Sequence, residues 1–136
     1  MQLMQEKTIP AQINQLETLI DFINECMDKA GVDDMFRVKP VIALEEIFVN
    51  IANYAYPDNN GEVTINFKAQ PDKLIFEFTD SGIPYDPLDK PDPDITLSAS
   101  ERAIGGLGIF MVKKIMDEVI YKHQNGQNIL TLIKNR

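Results

Sequence analysis

The chain has little of the chemistry that cysteine and histidine bring. Cys26 is its only cysteine and His123 its only histidine. One cysteine excludes an internal disulfide, and a reducing, cytoplasmic setting is the simple expectation. No histidine base lies near Cys26 in sequence, and its place in an apolar stripe reads as a small packing residue. No apolar run approaches the roughly 20 residues that span a bilayer. Met1 to Glu6 has neither a basic start nor an apolar core, so no signal peptide is expected and no membrane contact. Positive charge is also scarce: 13 Lys and Arg stand against 21 Asp and Glu, a net charge of −8. That balance repels phosphate backbones and argues against direct nucleic-acid binding. It leaves room for a nucleotide held by backbone N–H groups, because local donors outweigh net charge.

What is present suits one domain spanning residues 1–136 with a substantial core. Leu3 to Ile9 reads as a first strand, stopped by Pro10. From Ala11 to Lys29, Ile13, Leu16, Leu19, Ile20, Ile23 and Met27 recur at helical spacing, and Gly31 ends the run. Asp33 and Asp34 can cap a second helix that reaches Tyr56. Pro40 leaves two readings, a helix that starts there or one that starts earlier and bends. Val63, Ile65 and Phe67, then Leu74, Phe76 and Phe78, alternate as strands joined through Gln70-Pro71-Asp72. Tyr85 to Ser100 is rich in Pro and Asp without periodicity, which suits a lid or disorder. A third helix follows the glycines at 105–108. Two strands, about Val119 to His123 and Asn128 to Lys134, flank the tight-hairpin signal Asn125-Gly126. His123 reads as an exposed strand residue. Adjacent hairpins favour a mixed, largely antiparallel sheet. With the helices on one face, the fold class is α+β, a two-layer sandwich.

Three stretches carry chemistry. On a helix of roughly 100° per residue, Leu44, Ile47, Phe48, Ile51 and Ala55 form a buried stripe. Glu46, Asn50 and Asn53 share the other side. A carboxylate and two amides there suit a hard cation such as Mg²⁺ and a base for a hydroxyl, or equally a solvated helix face. Asp80-x-Gly82-x-Pro84 ends a strand in an acceptor for an exocyclic amine, with a glycine that permits close approach, or else is a common turn. Gly105-Gly106-Leu107-Gly108 exposes N–H groups at a helix start, fit for phosphates, or hinges a lid. It lacks both P-loop and Rossmann spacing. Together the three supply base recognition, a metal ligand with a candidate base, and a phosphate cradle.

In this order Glu46-x-x-x-Asn50, Asp80-x-Gly82-x-Pro84 and Gly105-Gly106-Leu107-Gly108 resemble the N, G1 and G2 boxes of the GHKL ATP-binding superfamily. The run from Gly105 to Val119, with Asn125-Gly126-Gln127-Asn128 and the last strand, resembles the anti-sigma factor serine/threonine kinases within it. The resemblance implies a GHKL-type fold, ATP and Mg²⁺. It implies Asp80 on the adenine amine with Gly82 shaping that pocket, Asn50 on Mg²⁺ and Glu46 as catalytic base. It implies Gly105, Gly106, Leu107 and Gly108 at the phosphates, with Asn53 on the phosphate side and Arg102 as a further phosphate contact or a lid salt bridge. Tyr54 stands where such kinases often carry His. The implied biology is a kinase that sequesters a sigma factor and phosphorylates a STAS-type antagonist, in some relatives as a homodimer. The alternative is an ATP-binding interaction module without phosphotransfer; Glu46 favours the kinase, since binding alone needs no base. The catalytic half of a sensor histidine kinase fits poorly, because His123 lies in a strand and no phospho-accepting helical domain is legible.

Overall fold

In the computed structural model, residues 3–89 and 106–136 are described. Five strands form one sheet in the order β1-β2-β3-β5-β4, with every neighbouring pair antiparallel. They are β1 (Leu3–Pro10), β2 (Glu62–Ala69), β3 (Lys73–Asp80), β4 (Glu118–Gln124) and β5 (Gln127–Asn135). The helices are α1 (Leu16–Lys29), α2 (Asp34–Tyr54) and α3 (Gly106–Ile115). The expected α+β sandwich is therefore present, and its sheet is wholly antiparallel.

Alternation in the strands decides which face is covered. Val63, Ile65, Phe67, Leu74, Phe76, Phe78, Leu130 and Leu132 are buried on one face, joined by Leu19, Ile23 and Met27 of α1 and Leu44, Ile47 and Phe48 of α2. Their neighbours Thr64, Asn66, Ile75, Glu77, Thr79 and Thr131 turn to the other face and are only half-buried. All three helices thus lie on one side of the sheet.

The two ends that bracket the helical segments differ from the sequence expectation, and the open question at Pro40 is settled for the earlier start that the Asp33 and Asp34 caps suggested. The first helical segment opens with a 3₁₀ turn at Ile13–Gln15, and α1 starts only at Leu16. α2 starts at Asp34, where the Asp33 carboxylate accepts from the Met35 N–H at 3.0 Å, so Pro40 lies inside the helix. It is retained because that segment is anchored from both sides. Pro40 is itself buried, and the Arg37 guanidinium donates to Asp28 at 2.8 Å and to the Val32 carbonyl. α2 then ends at Tyr54 rather than Tyr56. The Tyr56 hydroxyl instead donates to the Glu62 carbonyl at 2.6 Å and accepts from the Ser81 N–H at 2.8 Å, tying the helix exit to two strands. The hairpin at Asn125 and Gly126 has φ of 53° and 76°, as a two-residue primed turn requires.

Candidate nucleotide site

The site grows from the place where α2 crosses the ends of β3 and β5. Asp80 is the last residue of β3 and points to the helix-covered face, 5% exposed. A buried carboxylate needs partners. Its Oδ1 accepts from the Gly82 N–H and from Asn128 Nδ2, both at 2.9 Å. Among the described residues Oδ2 makes no hydrogen bond, and Asp80 lines a cavity. Gly82 is held by close approach. A Cβ there would collide with the Ala55 carbonyl at the exit of α2, and the Ile83 N–H donates to that same carbonyl at 2.8 Å.

Asn128 is the residue the motifs did not assign. The β3–β5 register sets it opposite Asp80. Its Nδ2 donates to Asp80 and to the Ile83 carbonyl at 2.8 Å, while its Oδ1 accepts from the Tyr121 hydroxyl and, at 3.4 Å, the Tyr85 N–H. The amide spends its donors orienting the carboxylate and the turn beyond it. Burial pushes the Tyr121 hydroxyl above its ordinary pKa, so it stays protonated and keeps donating. One signal for Asn128 was available: it is a polar residue at an inward position of an otherwise apolar strand face, in phase with Leu130 and Leu132.

The cavity is bounded by Ile47 and Asn50 of α2, Asp80, Tyr121, Asn128 and the segment carrying Tyr85 and Pro87. Its volume is about 30 Å³, room for one water. The Tyr85 ring stacks on Tyr54 with centroids 5.6 Å apart.

Along α2, one turn before Asn50, Glu46 is half-buried. A Cβ on Gly108 would run into its carboxylate. The glycine run does not simply precede the helix as expected: α3 begins at Gly106, so Gly108 belongs to its first turn. The missing side chain lets α3 settle against Glu46. Among the described residues Asn50 Nδ2 is buried without a partner. Since amide oxygen and nitrogen exchange by a half-turn, this orphaned group can present oxygen to a ligand. Among the described residues no three His, Cys, Asp or Glu side chains cluster for a metal. A single amide oxygen beside a nucleotide pocket suits Mg²⁺, which keeps several waters and takes its other ligands from phosphates. Asn53 is exposed and does not line the cavity. Leu107 lies in the first turn of α3. Arg102 and Gly105, and the expected lid beyond Asp89, lie outside the described residues.

An antiparallel sheet covered on one face, with a carboxylate-floored cavity between its strand ends and a helix, is consistent with a GHKL-type ATP-binding domain. The chain belongs to the Histidine kinase-like ATPase domain family, which matches residues 9–134. It is similar to the Serine-protein kinase RsbW of Bacillus mycoides (strain KBAB4) and of Bacillus cereus (strain B4264). To each it is 31% identical over 102 residues, covering 72% of this chain. Those residues cover 62% of each relative, so the match spans less than two thirds of their length. The fold is also that of a crystal structure of the RsbU and RsbW domains of Rv1364c from Mycobacterium tuberculosis. That likeness has a TM-score of 0.66 at 19% identity and covers 98% of this chain and 33% of the other. Among the described residues no helix is long and apolar enough to cross a membrane.

Proposed function

We propose that this protein is an ATP- and Mg²⁺-dependent protein serine/threonine kinase of the partner-switching type, which holds a sigma factor and phosphorylates a STAS-type antagonist. The observation that carries the reading is that Asn50 and Asp80, far apart in sequence, line one cavity while Glu46 stands a turn away against Gly108. The curated relatives named as serine-protein kinases support the same reading.

Asp80 Oδ2 accepts the exocyclic amine of adenine, with Asn128 and the Gly82 N–H holding the carboxylate in place. Asn50 would supply an amide oxygen to Mg²⁺, whose charge would offset that of the phosphates. Gly106 and Gly108 bring the N-terminal turn of α3, whose first N–H groups have no partner within the helix, beside the phosphate chain. Glu46 takes the proton from the incoming seryl or threonyl hydroxyl as its oxygen bonds to the γ-phosphorus of ATP, and the bond from that phosphorus to the β–γ bridging oxygen breaks, so that ADP leaves with the electron pair. Incubation with labelled ATP and the STAS-type proteins of the same organism tests the proposal. Transfer of label to a Ser or Thr is the expected result. Tight binding of partner and ATP with no transfer would replace it with the interaction-module reading.

A further inference from the structure

The nucleotide cavity does not use the N-terminal half of α2, and that half carries an unusual surface. Met35 is 82% exposed and Val38 51%, and Phe36, Ile42 and, on α3, Met111 are also exposed. These side chains are continuous. With Phe110 they line a cleft of about 860 Å³ between α2 and α3. Exposed apolar side chains gathered in a helix-lined cleft mark an interaction surface.

Charge tells which kind. The whole chain is acidic, at −8, yet this cleft is rimmed by Lys39, Lys114 and Lys134. Lys114 lies 5.3 Å from the centre of the Phe110 ring and Lys134 5.9 Å from that of Phe36, so both ammonium groups sit over the apolar floor. Lys134 is partly satisfied by the Ile115 carbonyl at 3.0 Å and Asp117 at 3.5 Å. Lys39 and Lys114 face no carboxylate within ion-pair distance among the described residues. The cleft runs between two helices, where a third helix can seat its apolar ridge.

We propose that the cleft between the first half of α2 and α3 is a docking site for an acidic amphipathic helix of a partner protein. Two or three apolar anchors of that helix, at i, i+3 or i+4 and i+7, enter between Val38 and Met111, and its flanking carboxylates meet Lys39 and Lys114. The surface is separate from the nucleotide cavity, so the proposal does not rest on kinase activity.

The test uses the intact chain and a fluorescein-labelled peptide of about five helical turns, roughly 18 residues. It carries Leu on one face and Glu on the other. A scrambled peptide of the same composition and a Lys-for-Glu version are the controls. Anisotropy should show saturable binding of the acidic amphipathic peptide alone, weakened by salt. Val38→Ser, Met111→Ser and Lys114→Glu change exposed side chains and spare the core. Each should weaken binding by about tenfold, as expected for a central interface contact. Amide shifts on titration should cluster at residues 35–42 and 110–115. Equal binding of the scrambled peptide, no effect of the three variants, or shifts at another surface would overturn the proposal. So would a fall in oligomeric state on Met111→Ser, which would assign the cleft to a second copy of the chain.

Discussion

Gly108 and Glu46 are in contact through the side chain that glycine lacks: a Cβ on the first turn of α3 would occupy the space of the Glu46 carboxylate. The obstacle is the far end of a flexible side chain, so Gly108→Ala can fold by turning Glu46 aside. Replacing glycine inside a helix gains about 0.5–1 kcal/mol. Gly108→Ala is therefore expected to melt at or above the wild-type temperature while phosphotransfer falls at least tenfold, about 1.4 kcal/mol. A calorimetric scan beside a phosphotransfer assay checks this, and full activity in a stable variant would detach Glu46 from the chemistry.

Glu46→Gln keeps volume and removes the proposed base. ATP binding should stay near normal while transfer drops by about 10²–10⁴. Asn50→Ala should act differently, weakening Mg-ATP itself, because it removes a ligand rather than a base. Calorimetric titration with and without Mg²⁺, alongside transfer rates, separates the two.

At Asp80 the prediction concerns affinity. Asp80→Asn turns an acceptor toward donors, and an unsatisfied buried pair costs roughly 1–3 kcal/mol. That is about a five- to hundredfold rise in the Kd for ATP. Asn128→Leu leaves the carboxylate but frees it to rotate, so a smaller loss in the same direction is expected. Equal affinities across the three proteins would remove both residues from the site.

Alkaline pH should loosen the fold. Burial pushes the Cys26 thiol up from about 9 to about 12, and burial raises the Tyr56 hydroxyl as well. A raised folded-state pKa means that the native chain holds these protons more tightly than the unfolded chain. The stabilisation is complete below pH 9 and is lost as pH rises toward 12. Cys26 alone can contribute a slope of up to about 1.4 kcal/mol per pH unit there. Urea midpoints measured from pH 8 upward should fall, and Cys26→Ala should flatten the curve. Native Cys26 should also resist thiol reagents at pH 8 until the protein unfolds.

Strand and helix existence was legible because the apolar positions keep clean periods of two and 3.6, and the hairpin at Asn125-Gly126 because only a primed turn suits that pair. Pro40 was ambiguous because its sequence shows a helix start as readily as a bend. What decides is the tertiary anchoring through Arg37 and Asp28, which neighbouring residues do not reveal. In the candidate site, Glu46, Asn50, Asp80 and Gly82 stand out in the sequence as motifs, and their roles belong to the proposal. Asn53 was grouped with them by the helical wheel alone, and its exposure shows that a wheel cannot say how far along α2 the cavity extends. Asn128 and Tyr121 could not be linked to Asp80, since that link is a strand register between segments far apart in sequence.

That register also sets an order of events. β3 and β5 are neighbours in the sheet but are separated in the chain by α3 and β4. The Asp80–Asn128 pair therefore closes a long loop, which is entropically costly and slow to form. During synthesis, β1, β2, β3 and both long helices leave the ribosome while the partner of Asp80 is still unmade. Over that interval β3 presents an unpaired edge, open to pairing with other chains. The same strand that completes the pocket also seals that edge, so the capacity to bind nucleotide arrives together with protection from aggregation.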